Sequence, residues 1–139
     1  QIPNYAIIYV DGRCNMYCGF CIHAAVDARK TPIISPEQWG SVFKKANSLL
    51  HLTITGGEPF LRKNFITLLE KTHQLAHFKN IHITTNGTLM TQHITKLMEL
   101  GINSLNLSLD TLDADRFKKI TRRDDFKKVI QTFHVLLWA

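Results

Sequence analysis

The chain predicts an α/β fold built on a parallel sheet, and three observations carry that expectation. Short apolar runs of strand length alternate with longer runs of helical period, the pattern of successive βα units. Ser, Thr, Pro and Gly fall where those helices should start and stop. The strand-like runs alternate polar with apolar residues, so each has one face for helices and another that is polar.

The first strand is expected near Tyr5–Val10, followed by a loop that holds Cys14, Cys18 and Cys21, all the cysteines of the chain. A helix near Pro36–Asn47 comes next. Ser35 is its N-cap, Pro36 its first residue and Gln38 its capping-box partner, while Trp39, Val42, Phe43 and Ala46 share one face. The second strand lies near Leu50–Thr55 and its helix near Asn64–His77. The third strand, near Ile81–Thr85, precedes a helix near Thr91–Leu100, with Thr91 as cap, Ile94, Leu97 and Met98 as apolar stripe and Gly101 as stop. The fourth strand, near Ile102–Leu109, leads into a broken helical pair over Asp113–Ile120 and Asp124–Trp138.

In these strands Leu52 and Ile54 alternate with His51, Thr53 and Thr55; Ile81 and Ile83 with His82, Thr84 and Asn86; and Leu105, Leu107 and Leu109 with Asn106, Ser108 and Asp110. Helices must cover the apolar side, which leaves three adjacent strands with a polar one. Parallel sheets are ordinarily covered on both faces, and barrel interiors are ordinarily filled with branched apolar side chains. A polar inner face therefore points to a lumen lined for a ligand. His51 reads more simply as a satisfied interior or rim histidine.

Composition excludes more than it selects. A net charge of +6 is spread along helical faces, and the one near-cluster, Lys118-Lys119 to Arg122-Arg123, reverses sign at Asp124-Asp125, so no nucleic-acid partner is expected. No signal peptide is visible, and no apolar run approaches the roughly 20 residues that cross a bilayer, so no membrane partner and a cytoplasmic location are expected. Cysteines gathered in one loop argue against a disulfide framework.

The spacing Cys14, Cys18, Cys21 has a specific chemical meaning. Four thiolates saturate a four-iron cubane, whereas three leave one iron open to a substrate or cofactor. Inert structural thiols, or a zinc site completed by His23, are the other readings of the same residues. Downstream, Thr55-Gly56-Gly57-Glu58-Pro59 sits at the C-terminal end of the second strand, where open α/β folds bind ligands, although a tight strand-to-helix turn also accounts for it.

Together the cysteine triad and the Gly-Gly-Glu-Pro turn resemble the radical S-adenosylmethionine (SAM) superfamily. The resemblance implies a parallel (βα) partial TIM-type barrel with about four of the usual six units present, residues 1–139 being the N-terminal portion of the core domain, as a fragment or a degenerate enzyme. It implies that Cys14, Cys18 and Cys21 hold a [4Fe-4S] cluster whose open iron is chelated by SAM. By the same resemblance Gly56, Gly57 and Glu58 hold the methionyl amino group, Thr84, Asn86 and Ser108 meet the ribose and carboxylate, and Phe20 lies near the adenine. The implied activity is reductive cleavage of SAM to a 5′-deoxyadenosyl radical that takes hydrogen from a small-molecule or peptide substrate, with an electron donor such as flavodoxin or ferredoxin. No residue is identified as a catalytic acid or base.

Leu107-Ser108-Leu109-Asp110-Thr111-Leu112, with Phe117, Ile120, Arg122-Arg123 and Phe126, is similar to the GTP 3′,8-cyclase branch of molybdenum cofactor biosynthesis, whereas the cysteine loop is more similar to the viperin branch. The cyclase branch implies basic residues where this chain has Ile7, His51 and Thr53, so GTP is not expected to bind in the cyclase manner. The rival reading is a non-enzymatic module or truncated relic that binds metal or SAM without turnover.

Overall fold

The computed structural model describes residues 4–22, 32–45, 50–75 and 77–139. Four parallel strands, β1 (Tyr5–Tyr9), β2 (His51–Thr55), β3 (Asn80–Thr85) and β4 (Ser104–Leu107), lie side by side in chain order. Between and after them run α1 (Pro36–Lys45), α2 (Phe65–Leu75), α3 (Ile94–Glu99), α4 (Ala114–Thr121) and α5 (Phe126–Leu137). This is the α/β architecture expected from the alternation, with element ends shifted by a few residues. No helix among the described residues is long and apolar enough to cross a membrane.

The register fixes which residues share a face. Tyr5 pairs with His51 and His51 with Asn80; Ile7 pairs with Thr53, Thr53 with His82 and His82 with Ser104; Tyr9 pairs with Thr55 and Thr84 with Asn106. Partners in adjacent parallel strands point to the same side, so these residues form one predominantly polar face. The opposite face is the core. There Leu52, Ile54, Ile81 and Ile83 are buried with Phe43 of α1 and Phe65, Leu68 and Leu69 of α2.

The helix starts follow the sequence in one case and depart from it in another. Ser35 Oγ accepts from the Gln38 N–H at 3.2 Å while Gln38 Oε1 accepts from the Ser35 N–H at 2.8 Å, the reciprocal capping box. On α1, Phe43 is buried but Val42 is exposed, and Gly40 takes its place on the packed face, close against Leu75. The expected end of that helix, Ala46-Asn47, lies outside the described residues. Thr91 does not cap α3. It opens a 3₁₀ turn, Thr91–His93, and its hydroxyl pairs with Thr132 of α5, whose own hydroxyl donates to the Gly87 carbonyl at 2.7 Å. A tertiary partner has outcompeted the local cap.

A second small core forms where the cysteine loop meets α4 and α5. Met16, Phe117 and Val129 are buried together, with Cys14, Cys18, Leu107, Leu109 and Phe126 packed around them. The loop is thus held from below by hydrophobic contact rather than left as a free strand connection.

Arg62 joins three otherwise separate segments. Its guanidinium, almost wholly buried, donates to the Val10 carbonyl at 2.8 Å, to the Ile34 carbonyl, and from Nε to Asn64 Oδ1 at 2.7 Å. Burial depresses its basicity, since desolvation disfavours the charged form. Replacing it with Met leaves those buried acceptors without donors, and Arg62→Met is expected to lower unfolding stability by about 2–4 kcal/mol. Urea unfolding measures this; a loss below about 0.5 kcal/mol would mean that the acceptors find other donors.

Candidate functional site

The pairing of β1 with β2 continues beyond the strands and lays two loops against each other. The Val10 N–H donates to the Thr55 carbonyl at 3.0 Å, the Gly57 N–H to the Asp11 carbonyl at 2.8 Å and the Glu58 N–H to the Arg13 carbonyl at 2.7 Å. Side chains would block this approach: a Cβ on Gly56 would strike the Asp11 carbonyl, and one on Gly57 the Arg13 carbonyl. Gly56 also has φ of +156°, which disfavours L residues. The close backbone approach expected of these glycines is made, within the chain, to the cysteine loop.

All three cysteines are half-buried on that loop. The Tyr17 N–H donates to the Thr121 carbonyl at 2.9 Å, and the Cys21 N–H to the Cys18 carbonyl at 3.1 Å, which closes the loop into a turn. Cys14 Sγ accepts from the Met16 N–H at 3.4 Å and from Asn86 Nδ2 at 3.7 Å. Burial pushes the Cys14 thiol up, opposed by the Met16 N–H and reinforced by the Glu58 carboxylate; burial and the neighbouring cysteines push Cys18 up as well. Adjacent thiolates in such a place need a positive centre, and an iron–sulfur cluster supplies one, so the donor set fits. Among the described residues no three His, Cys, Asp or Glu side chains converge tightly enough to hold a single ion. His23, the fourth ligand in the zinc reading, lies outside them.

Glu58 is fully buried, and its role is to connect. Oε1 accepts from the Phe60 N–H at 3.1 Å and the Thr85 hydroxyl at 2.8 Å, and Oε2 accepts from the Asn86 N–H at 2.7 Å. Burial raises its carboxyl, against the pull of these donors. Asn86 is buried too: its Nδ2 reaches Asn15 Oδ1 at 2.8 Å, and its Oδ1 accepts from the Thr88 N–H and hydroxyl. The side chains of both residues, and the backbone N–H of each, are therefore engaged within the protein, which leaves backbone carbonyls as their means of meeting a ligand.

The other expected contacts lie on the rim. Thr84 is half-buried on the polar face of β3, and Ser108 is exposed just past β4, its N–H donating to the Thr85 carbonyl at 2.9 Å. Phe20 is 68% exposed beside Cys21, its ring open to a partner. Cys14, Glu58 and Asn86 thus come together through hydrogen bonds, while Thr84 and Ser108 stand on neighbouring strand ends.

Sequence reading missed the groups that hold the loop. Asp11 is buried and takes the Arg13 guanidinium in a two-pronged ion pair, with the Arg13 N–H on Oδ1 at 3.0 Å. Burial alone would raise the Asp11 carboxyl, but the Arg13 hydrogen bonds and the charge of Arg62 outweigh it and hold it below the usual carboxylate range. The Asp-Gly pair was a legible turn signal. Asn15 had none, because its partners Asn86 and Thr88 are more than 70 positions away.

Known proteins share sequence and fold with this chain. The chain is 37% identical over 131 residues to a GTP 3′,8-cyclase of Desulforamulus reducens, an alignment covering 91% of this chain and 40% of the relative. It is 34% identical over 125 residues to a probable GTP 3′,8-cyclase of Methanocaldococcus jannaschii (88% and 42% covered), and 34% identical to molybdenum cofactor biosynthesis protein 1 of Drosophila melanogaster (91% and 23%). The chain spans about two-fifths of the length of the cyclases. Among solved structures, Streptococcus suis SuiB bound to S-adenosylmethionine superposes with a TM-score of 0.79 at 24% identity, covering 94% of this chain and 30% of that one. BtrN in complex with AdoMet and 2-DOIA superposes at 0.70 and 19% identity, covering 92% and 55%. These two likenesses are of fold. The sequence model of the Radical SAM superfamily matches residues 8–137, and the chain belongs to that superfamily.

Proposed function

We propose that this chain is the cluster- and SAM-binding portion of a radical SAM enzyme. What supports the reading is the meeting of two motifs some 40 positions apart: Gly57 and Glu58 pair through their backbone with Asp11 and Arg13, directly before the first cysteine. Cys14, Cys18 and Cys21 would hold a [4Fe-4S] cluster. When bound, that group supplies the electron that cleaves SAM to methionine and a 5′-deoxyadenosyl radical, which takes hydrogen from the substrate.

The chain's own residues bind and orient. Met16 and the Tyr17 N–H pin the loop to α4 and α5, and the Met16 N–H and Asn86 amide donate to the Cys14 sulfur. Hydrogen bonds to a ligating sulfur tune the potential of a cluster. The Gly56-Gly57-Glu58 backbone would hold the amino group of SAM, with Thr84, Asn86 and Ser108 meeting the ribose and carboxylate. Phe20 offers an exposed ring for the adenine. The reading requires a one-electron donor such as flavodoxin or ferredoxin. The names of the relatives favour one specific activity, GTP 3′,8-cyclisation, as the second reading.

Changing any one of the three cysteines to Ala is expected to abolish iron–sulfur absorption and SAM cleavage after anaerobic reconstitution, because no neighbouring residue can replace a thiolate. Stoichiometric iron in the triple Cys→Ala protein would remove the basis of the assignment.

SAM affinity should fall in Ser108→Ala by about 3- to 10-fold, the value of one hydrogen bond, and further in Gly57→Val, whose side chain pushes the two loops apart. Equilibrium binding with reconstituted protein measures both. Unchanged affinity in the two variants contradicts the proposed SAM contacts.

A further inference from the structure

The polar face of the sheet contains a hydrogen-bonded relay that the cofactor reading does not use. At the end where the strands begin, a hollow of about 540 Å³ is lined by Tyr5, His51, Thr53, Asn80, His82 and Ser104 among others. No residue that the register places on this face is Lys, Arg, Asp or Glu.

Two backbone groups set the orientation of everything that follows. The Ile81 N–H donates to Asn103 Oδ1 at 3.2 Å, and Asn103 Nδ2 donates to the Lys79 carbonyl at 3.1 Å, which fixes which end of this amide is oxygen. Asn103 Nδ2 also donates to Asn80 Oδ1 at 3.1 Å, so Asn80 must turn its Nδ2 toward His51 Nδ1, 3.0 Å away. A ring nitrogen that accepts has no proton, so the proton of His51 sits on Nε2. Among the described residues nothing bonds to that Nε2. Beside it the Tyr5 hydroxyl pairs with Thr53 Oγ1 at 2.9 Å and His82 Nδ1 with Ser104 Oγ at 2.7 Å, groups able both to give and to accept hydrogen bonds.

We propose that this hollow receives an uncharged, oxygen-bearing part of the substrate, a hydroxyl or carbonyl such as a sugar or nucleoside presents, and that His51 sets this specificity by donating from Nε2. The inference rests on the radical SAM reading for the presence of a substrate in the lumen. A phosphate chain entering here would lose water without meeting a cation, and a neutral N–H repays that loss less well than a charged donor.

Two measurements on the full chain test it. In long-range ¹⁵N–¹H spectra of histidine-labelled protein, His51 should appear as the Nε2–H tautomer. Asn103→Asp, which keeps the acceptor for Ile81 but removes the donor to Asn80, should turn that signal into a tautomer mixture. An Nδ1–H tautomer in the unmodified protein, or an unchanged signal in Asn103→Asp, overturns the relay. In equilibrium binding, unmodified protein should prefer GTP over guanosine by no more than about threefold, and His51→Lys with Thr53→Lys should raise that ratio by at least about tenfold. A preference for GTP of about tenfold or more without substitution, or no gain in the double variant, overturns the specificity. SAM binding in the same preparations separates the two levels: GTP preferred with SAM binding intact defeats this inference alone, whereas failure to bind SAM defeats the reading beneath it.

Discussion

The Glu58 carboxylate is the contact on which the site depends. It is fully buried at the end of β2, accepts three hydrogen bonds from Phe60, Thr85 and Asn86, and its own N–H reaches the Arg13 carbonyl. One residue thus joins the loop after β1, the turn after β2 and the end of β3. Burial of a carboxyl group is costly unless its oxygens are satisfied, so the arrangement holds only when all three loops are in place together. This cooperativity is what converts two motifs distant in sequence into one site.

A second constraint acts from outside the sheet. Asp11, Arg13 and Arg62 form a chain of charges beneath the cysteine loop, with Asp11 and Arg62 almost wholly buried. Loss of Arg13 would leave the Asp11 carboxylate buried without its ion-pair partner, which costs more than the pair contributes. The value of these charges therefore lies in geometry: Arg62 carries the end of β1 and the approach to α1 on a single guanidinium. Together with Met16 packed on Phe117 and Val129, it holds the loop on both sides.

The two faces of the sheet have divided their work. The helix-covered face is filled by Leu52, Ile54, Ile81 and Ile83 and carries the stability, while the opposite face offers hydroxyls, amides and imidazoles at matched heights on adjacent strands. An uncharged polar wall can be strongly selective without being strongly attractive, because a wrong partner leaves buried groups unpaired.

The amino-acid sequence by itself determined the parts governed by local rules. Period and alternation located four strands and five helices, the Ser35–Gln38 capping box appeared as written, and the cysteine spacing with Gly-Gly-Glu-Pro was enough to point to the superfamily. What only the tertiary structure decided involves partners far apart in the chain. Thr91 left its helix for Thr132, Gly40 rather than Val42 met α2, and Gly56 and Gly57 proved to make room for the cysteine loop. The Asn103–Asn80–His51 relay belongs to the same class, since each amide is oriented by a group on another segment. Local preferences amount to about 1 kcal/mol or less per residue, whereas leaving a buried polar group unpaired costs more, so the long-range partner prevails wherever the two disagree.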